Sequence, residues 1–252
     1  MKSRHALPLA LITIVVGALT AASMLLIDWY PDQASEQAPR VDHLLWFLMI
    51  CSAVIFTGVT AVLIYCAWRF RVPEDDESEG PPNHGNTRLE IIWTVIPILL
   101  LVVVAVWAVK VQLDNEAVAA DQTAISVTAR QFVWEFDYPG TNVQSGDLRV
   151  PVGKQVRLDM RSPDVIHSFW VPEIRFKQDV VPGRTTHMIF DPTKVGTYPI
   201  ICAELCGAGH GLMRGRLIVM PQAEYDAWLN QAKQQVAAPP ANAPAPAATP
   251  GG

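Results

Sequence analysis

The hydrophobic pattern divides the chain in two. In the first part apolar residues form unbroken runs at 6–27, 44–68 and 91–109, none of which contains a charged side chain. Coiled as helices at ~1.5 Å per residue, these runs match a bilayer core of ~30 Å, so three membrane helices are expected. The first run follows Lys2 and Arg4 and ends near the small residues Ala21, Ala22 and Ser23, which also fits a secretory leader. It is longer than the ~7–15 apolar residues of a usual leader, so it is read as a retained, signal-like helix. The second and third runs form a hairpin. Its connection carries Arg69 and Arg71 at the membrane edge, which assigns it to the cytoplasm by the excess of basic residues in inner loops. Lys2 and Arg4 agree, and the chain after Lys110 then lies outside.

Beyond the third run the period changes. Segments such as "TAISVTARQFVWEFDYP", "DLRVPVGKQVRLDMRS", "VIHSFWVP", "TTHMIFDP", "GTYPIICA" and "GRLIVMP" are short, rich in β-formers and broken by Pro and Gly. They predict an all-β sandwich or Greek-key barrel. "EYDAWLNQAK" predicts a short closing helix, and the Pro/Ala-rich tail has the composition of a disordered segment. The expected organisation is a first apolar segment with an outer linker (1–43), a helical hairpin (44–110), a β domain (111–220), and a short helix with tail (221–252).

Composition adds little to this picture. Half of the 252 residues are apolar, 17% are charged, and the formal net charge is −5. No basic patch points to nucleic acid. The acidic run 74–79 reads as a solvated loop and is assigned no function.

The chemistry concentrates in one loop. Cys51 and Cys66 lie inside an apolar run and read as packing residues, whereas Cys202 and Cys206 are the cysteines of the outer domain. A disulfide is the simplest reading on the oxidising side, but a ring this short gains little from loop closure. The neighbours argue for a metal: Cys-x3-Cys-x3-His-x2-Met supplies two thiolates, the imidazole of His210 and the soft thioether of Met213, a set suited to copper. A single blue-copper ion takes one Cys, two His and a weak Met, so there is one thiolate too many. Two copper ions sharing both sulfurs would use it, given a second histidine. His5, His43 and His84 lie near the membrane segments; His187 alternates with apolar residues in a predicted strand; His167, at a strand end before a Pro-containing loop, is better placed. Zinc is the competing metal, but the spacing differs from finger and ribbon patterns and leaves Met213 without a role. Gly207, Gly209 and Gly211 would let the loop wrap closely around an ion.

The motif "CAELCGAGHGLM", with "DVIHSFWVPEIRFKQDVVPGR" and "NTRLEIIWTVIP", resembles subunit II of cytochrome c oxidase, and the likeness covers residues 44–220. The resemblance implies a cupredoxin-like Greek-key domain holding the dinuclear copper centre CuA. It implies thiolates from Cys202 and Cys206, imidazoles from His167 and His210, a thioether from Met213 and the backbone carbonyl of Glu204. The Glu204 side chain is implied in a magnesium site shared with subunit I, and Glu90 at the mouth of a proton-uptake channel. The stretch "RQFVWEFDYPG" resembles the strand through which electrons enter, with Phe132 where the family commonly has Trp, and Trp134 two positions on. Asp137 and Asp164 are candidates for drawing in a positively charged donor.

The function so implied is that of the electron-accepting subunit of a respiratory terminal oxidase in a bacterial-type membrane, with the copper domain on the outer, periplasmic side. Cytochrome c or another small carrier would be the donor, and subunits I and III the partners. Haem in subunit I would take the electron for reduction of oxygen. The alternatives are a CuA subunit serving nitric oxide reduction, a copper delivery protein, or a copper-free quinol oxidase subunit II, which would not need the ligand set. No Cys-x-x-Cys-His haem attachment motif occurs, so a fused cytochrome c is not expected.

Overall fold

The computed structural model describes residues 3–72, 74–75, 80, 82 and 85–237. The acidic run beyond Asp75 and the Pro/Ala-rich tail lie outside the described residues. Two compact units are present: one of residues 1–31 and 40–114, and one of residues 32–39 and 115–252.

The first unit is helical. Helices α1 (Ser3–Leu26), α2 (Gln37–Arg69) and α3 (Thr87–Asn115) are each long and apolar enough to cross a membrane. All three extend past the uncharged runs, because polar residues continue the helical pattern at their ends. Lys110 and Asp114, paired at 2.7 Å one turn apart, lie on such an extension of α3. The start of α3 is capped: Asn86 Oδ1 accepts from the amides of Arg88 and Leu89, and Glu90 Oε1 accepts from the Asn86 amide. This reciprocal arrangement satisfies donors that a helix start leaves open. His5 Nδ1 lies 2.6 Å from the Tyr65 hydroxyl, joining α1 to α2, and Phe47 packs on Trp107 between α2 and α3.

Among the described residues, the second unit is a sandwich of ten strands. These are β1 (Thr123–Arg130), β2 (Val133–Tyr138), β3 (Val143–Ser145), β4 (Leu148–Pro151), β5 (Val156–Arg161), β6 (His167–Val171), β7 (Phe176–Val180), β8 (Thr186–Phe190), β9 (Gly196–Cys202) and β10 (Arg214–Met220). One sheet has the order β3-β2-β1-β5-β8 and the other β4-β10-β9-β6-β7. Alternation sets the core: Ile125, Val127 and Ala129 of β1, Val156, Leu158 and Met160 of β5, and Leu217 and Val219 of β10 point inward and are buried. Phe136, Phe169 and Phe190 fill the space between the sheets. The closing helix α4 (Gln222–Ala237) buries Tyr225 and lays Trp228 against Tyr138, with the Arg149 guanidinium over the Trp228 ring.

Several details differ from the sequence reading. "TAISVTARQFVWEFDYP" is not one strand but a hairpin, with Arg130 paired to Val133 and only Gln131 and Phe132 in the turn. "DLRVPVGKQVRLDMRS" is β4 and β5, which belong to different sheets. Strand β7 lies where a loop was expected.

Residues 32–39 form a strap on the β domain. The Ala34 amide donates to Glu173 O, Thr193 N donates to Ala34 O, and Glu36 N donates to Asp191 O. The Ser35 hydroxyl donates to Ile174 O, and Gln37 holds Asp191 through both its amide atoms. Ala34, Ser35 and Gln37 are buried.

Candidate metal centre

Three neighbouring strands bring the centre together at one end of a sheet. In the order β10-β9-β6, Met213 immediately precedes β10, Cys202 ends β9 and His167 begins β6. Cys202 N donates to Met213 O, and Phe169 is paired with Cys202, so His167 lies beside the loop that leaves β9. That loop carries Glu204 and Cys206 and then one 3-10 turn, His210–Leu212.

Within this end the donor atoms converge. The Sγ atoms of Cys202 and Cys206 are 3.9 Å apart, too far for a disulfide, and both cysteines are free. His167 Nδ1 is 4.0 Å from Cys202 Sγ, and His210 Nδ1 is 3.7 Å from Cys206 Sγ. Glu204 O lies 3.3 Å from Cys202 Sγ, and Met213 Sδ 3.8 Å from Cys206 Sγ. Each thiol therefore has one imidazole and one weak donor of its own. His167, Cys202, Cys206 and Met213 are buried, whereas Glu204 turns its carbonyl inward and its side chain outward. Burial, with the Cys202 thiol beside it, pushes the Cys206 thiol up to about 11.

The orientation of His167 is set from behind. Its Nε2 donates to Asp164 Oδ1 at 2.9 Å, which leaves Nδ1 facing the thiols. Asp164 also accepts from Gln131 N, Val165 N and the Ser162 hydroxyl. Burial opposes its charge, but the hydrogen bonds from Gln131, His167, Val165 and Ser162 outweigh it and hold the carboxyl well below the usual carboxylate range. Trp134 presents its ring edge-on to His167 and Phe169, with centroids 6.3 and 5.4 Å away.

The hairpin turn lies on the cysteine loop. Gln131 Nε2 donates to Cys206 O at 2.6 Å. A Cβ at Gly209 would come within 2.5 Å of the Phe132 ring, and one at Gly207, whose φ is +133°, within 2.8 Å of Gln131 Nε2. Gly207 and Gly209 thus make room for the turn residues, while Gly211 faces open space. Phe132 is half-buried and Trp134 is 3% exposed. Val133, Ile166, Leu205 and Leu212, each next in sequence to a residue of this region, are exposed apolar side chains.

Other candidates lie elsewhere. Asp137 is half-buried on β2; His187 is exposed on β8, paired with Asp159 at 2.5 Å; Glu90 belongs to the cap of α3. The role of Gln131 was not read from the sequence, because its contacts join segments 33 and 75 positions apart; that of Asp164 was not, because only the fold of its loop turns the carboxylate onto His167, three positions on.

Comparison with known proteins decides the family. The model of the cytochrome c oxidase subunit II transmembrane domain matches residues 9–111, and that of its periplasmic domain matches residues 143–220. The chain belongs to the cytochrome c oxidase subunit II family. Cytochrome c oxidase subunit 2 of Synechocystis sp. is 33% identical over 95% of this chain and 85% of the relative. Cytochrome c oxidase subunit 2 of Alkalihalophilus pseudofirmus is 37% identical over 92% of this chain and 69% of the relative. A solved periplasmic domain of subunit II of cytochrome oxidase from Bradyrhizobium japonicum is 28% identical, covers 47% of this chain and 99% of its own, and superposes with a TM-score of 0.45. As a subunit II, the chain is the electron-accepting subunit of a haem-copper terminal oxidase, associated with other oxidase subunits in a membrane complex. Its cupredoxin-like domain lies outside the membrane.

Proposed function

We propose that His167, Cys202, Cys206, His210, Met213 and the carbonyl of Glu204 hold the dinuclear copper centre that the family implies. The observation that carries this reading is the doubled set: two thiols, each with its own imidazole and its own weak donor. A single copper ion taking one Cys, two His and a Met would leave one thiol and the Glu204 carbonyl without use, and a structural zinc would not need a buried thioether. Bound there, a copper pair would take up and release one electron at a time. The chain's contribution is rigidity. Donors at the ends of three adjacent strands, with His167 held by Asp164, resist the change in geometry that a change of charge would otherwise cause.

Electrons from cytochrome c or a similar small carrier enter at Phe132 in this reading. Its ring lies on the cysteine loop, whereas Trp134 is enclosed in the core and serves to pack His167. Asp137 remains a candidate for attracting the donor; Asp164, engaged by four donors, is assigned to His167 instead. The outward carboxylate of Glu204 is available for a magnesium ion shared with subunit I, and Glu90 for proton uptake. The exposed Leu205 and Leu212 suit contact with a partner, subunit I among them, with subunit III a further partner.

Metal analysis of the full-length chain tests the centre. Two coppers per chain with a mixed-valence electron paramagnetic resonance spectrum are expected; one zinc, or a Cys202–Cys206 disulfide in the loaded form, would refute it. Phe132→Ala should slow electron uptake while leaving that spectrum intact.

A further inference from the structure

We infer that Gln131 is a positioning residue that ties the cysteine loop to the histidine loop and so fixes the relative placement of their donor atoms. The inference rests on the copper-site reading above. Gln131 donates two hydrogen bonds, one to each loop. Its side-chain Nε2 donates to Cys206 O at 2.6 Å, and its backbone N donates to Asp164 Oδ2 at 2.8 Å. The other oxygen of Asp164 accepts from His167 Nε2 at 2.9 Å. A continuous chain of hydrogen bonds therefore runs from the backbone of one thiol residue to the ring of an imidazole 39 positions earlier in sequence.

The direction of each bond explains the residue type. The Cys206 carbonyl can only accept, so the side chain facing it must donate. Glutamate at this position would set oxygen against oxygen, and methionine would keep the length without a donor. Gly207 is matched to the arrangement: a Cβ there would come within 2.8 Å of Gln131 Nε2. With the Cys206 carbonyl held, rotation of the peptide that follows Cys206 is resisted, and with it displacement of the thiol against His167. Gln131 itself is exposed, so packing of the core does not require it.

The test uses the full-length chain in detergent with Gln131→Met and Gln131→Glu. In the metal-free chain, amide hydrogen exchange across residues 203–209 should quicken roughly tenfold in both variants, as expected for the loss of one hydrogen bond. After loading with copper, both variants should show altered hyperfine splitting and a shifted midpoint potential. Unchanged exchange in both would overturn the inference. So would faster exchange with a wild-type spectrum and potential, since the tie would then stabilise the loop without placing the donors. A wild-type chain that takes up no copper would instead refute the site reading, whereas the metal-free exchange comparison bears on the tie alone.

Discussion

Asp164 changes role between sequence and structure. As a carboxylate beside a histidine in an outer domain, it reads as a surface charge for a cationic donor; in the fold, four hydrogen-bond donors converge on it. Asp164→Ala should destabilise the metal-free chain at neutral pH by about 1–3 kcal/mol, because the Gln131 amide and His167 Nε2 lose their acceptor. The pH dependence has a definite sign. A carboxyl lowered in the folded state contributes fully above its unfolded pKa near ~3.9, and the contribution fades as pH falls through the lower folded value. The gap between wild type and Asp164→Ala in denaturant melts should therefore be constant above about pH 5 and narrow below about pH 4. The Cys206 thiol behaves in the opposite sense. Pushed up to about 11, it is protonated at neutral pH, and a metal must displace that proton. Copper affinity measured by competition should thus rise with pH across the neutral range. A flat profile would mean that Cys206 is not a ligand. The thiols, His210 and Met213 were readable because they share one short segment. Gln131 was not, since its partners lie 33 and 75 positions away, and Asp164 was not, since only the fold of its loop turns the carboxylate onto His167.

At the level of elements, period was a good guide where burial imposed it and a poor one at turns. The long apolar runs and the alternation along β1, β5 and β10 are direct consequences of what each face touches. The β1–β2 hairpin was hidden because its turn, Gln131–Phe132, contains none of the Gly, Asn or Asp that usually mark a two-residue hairpin. The strap at 32–39 was equally hidden, having no repeat of its own; its order comes from the Asp191 and Glu173 backbones that it pairs with. It is nevertheless part of the outer domain. Gln37→Ala would remove the 2.6 Å and 3.1 Å bonds to Asp191, leaving that carboxylate to Gln155 at 3.3 Å. A loss of about 1–3 kcal/mol in outer-domain stability is expected, measured by denaturant melts of the full chain. Melts identical to wild type would show that the strap lies on the domain without supporting it.

For the whole molecule, the strap bears on membrane topology and on the fate of α1. Residues 32–39 fold with the outer domain, so the α1–α2 connection lies on the periplasmic side. A chain that then crosses through α2 reaches the cytoplasm at Arg69 and Arg71, in keeping with the basic residues there. If α1 also crosses, its start is cytoplasmic, as Lys2 and Arg4 require. We propose that α1 is retained, which its contacts with α2 favour: His5 bonds to Tyr65 at 2.6 Å, and Gly17 lets α1 approach Thr57, where a Cβ would meet the side chain at 3.4 Å. The match to the family's transmembrane domain also begins at residue 9, within α1. A leader removed after Ala21–Ser23 would discard both contacts. Intact mass of the chain isolated from membranes should therefore include the residues before position 21. In whole cells, Gln33→Cys, exposed on the strap, should react with a membrane-impermeant thiol reagent, and Asp75→Cys should react only after lysis. A mature chain beginning after Ser23 would show that α1 is a leader.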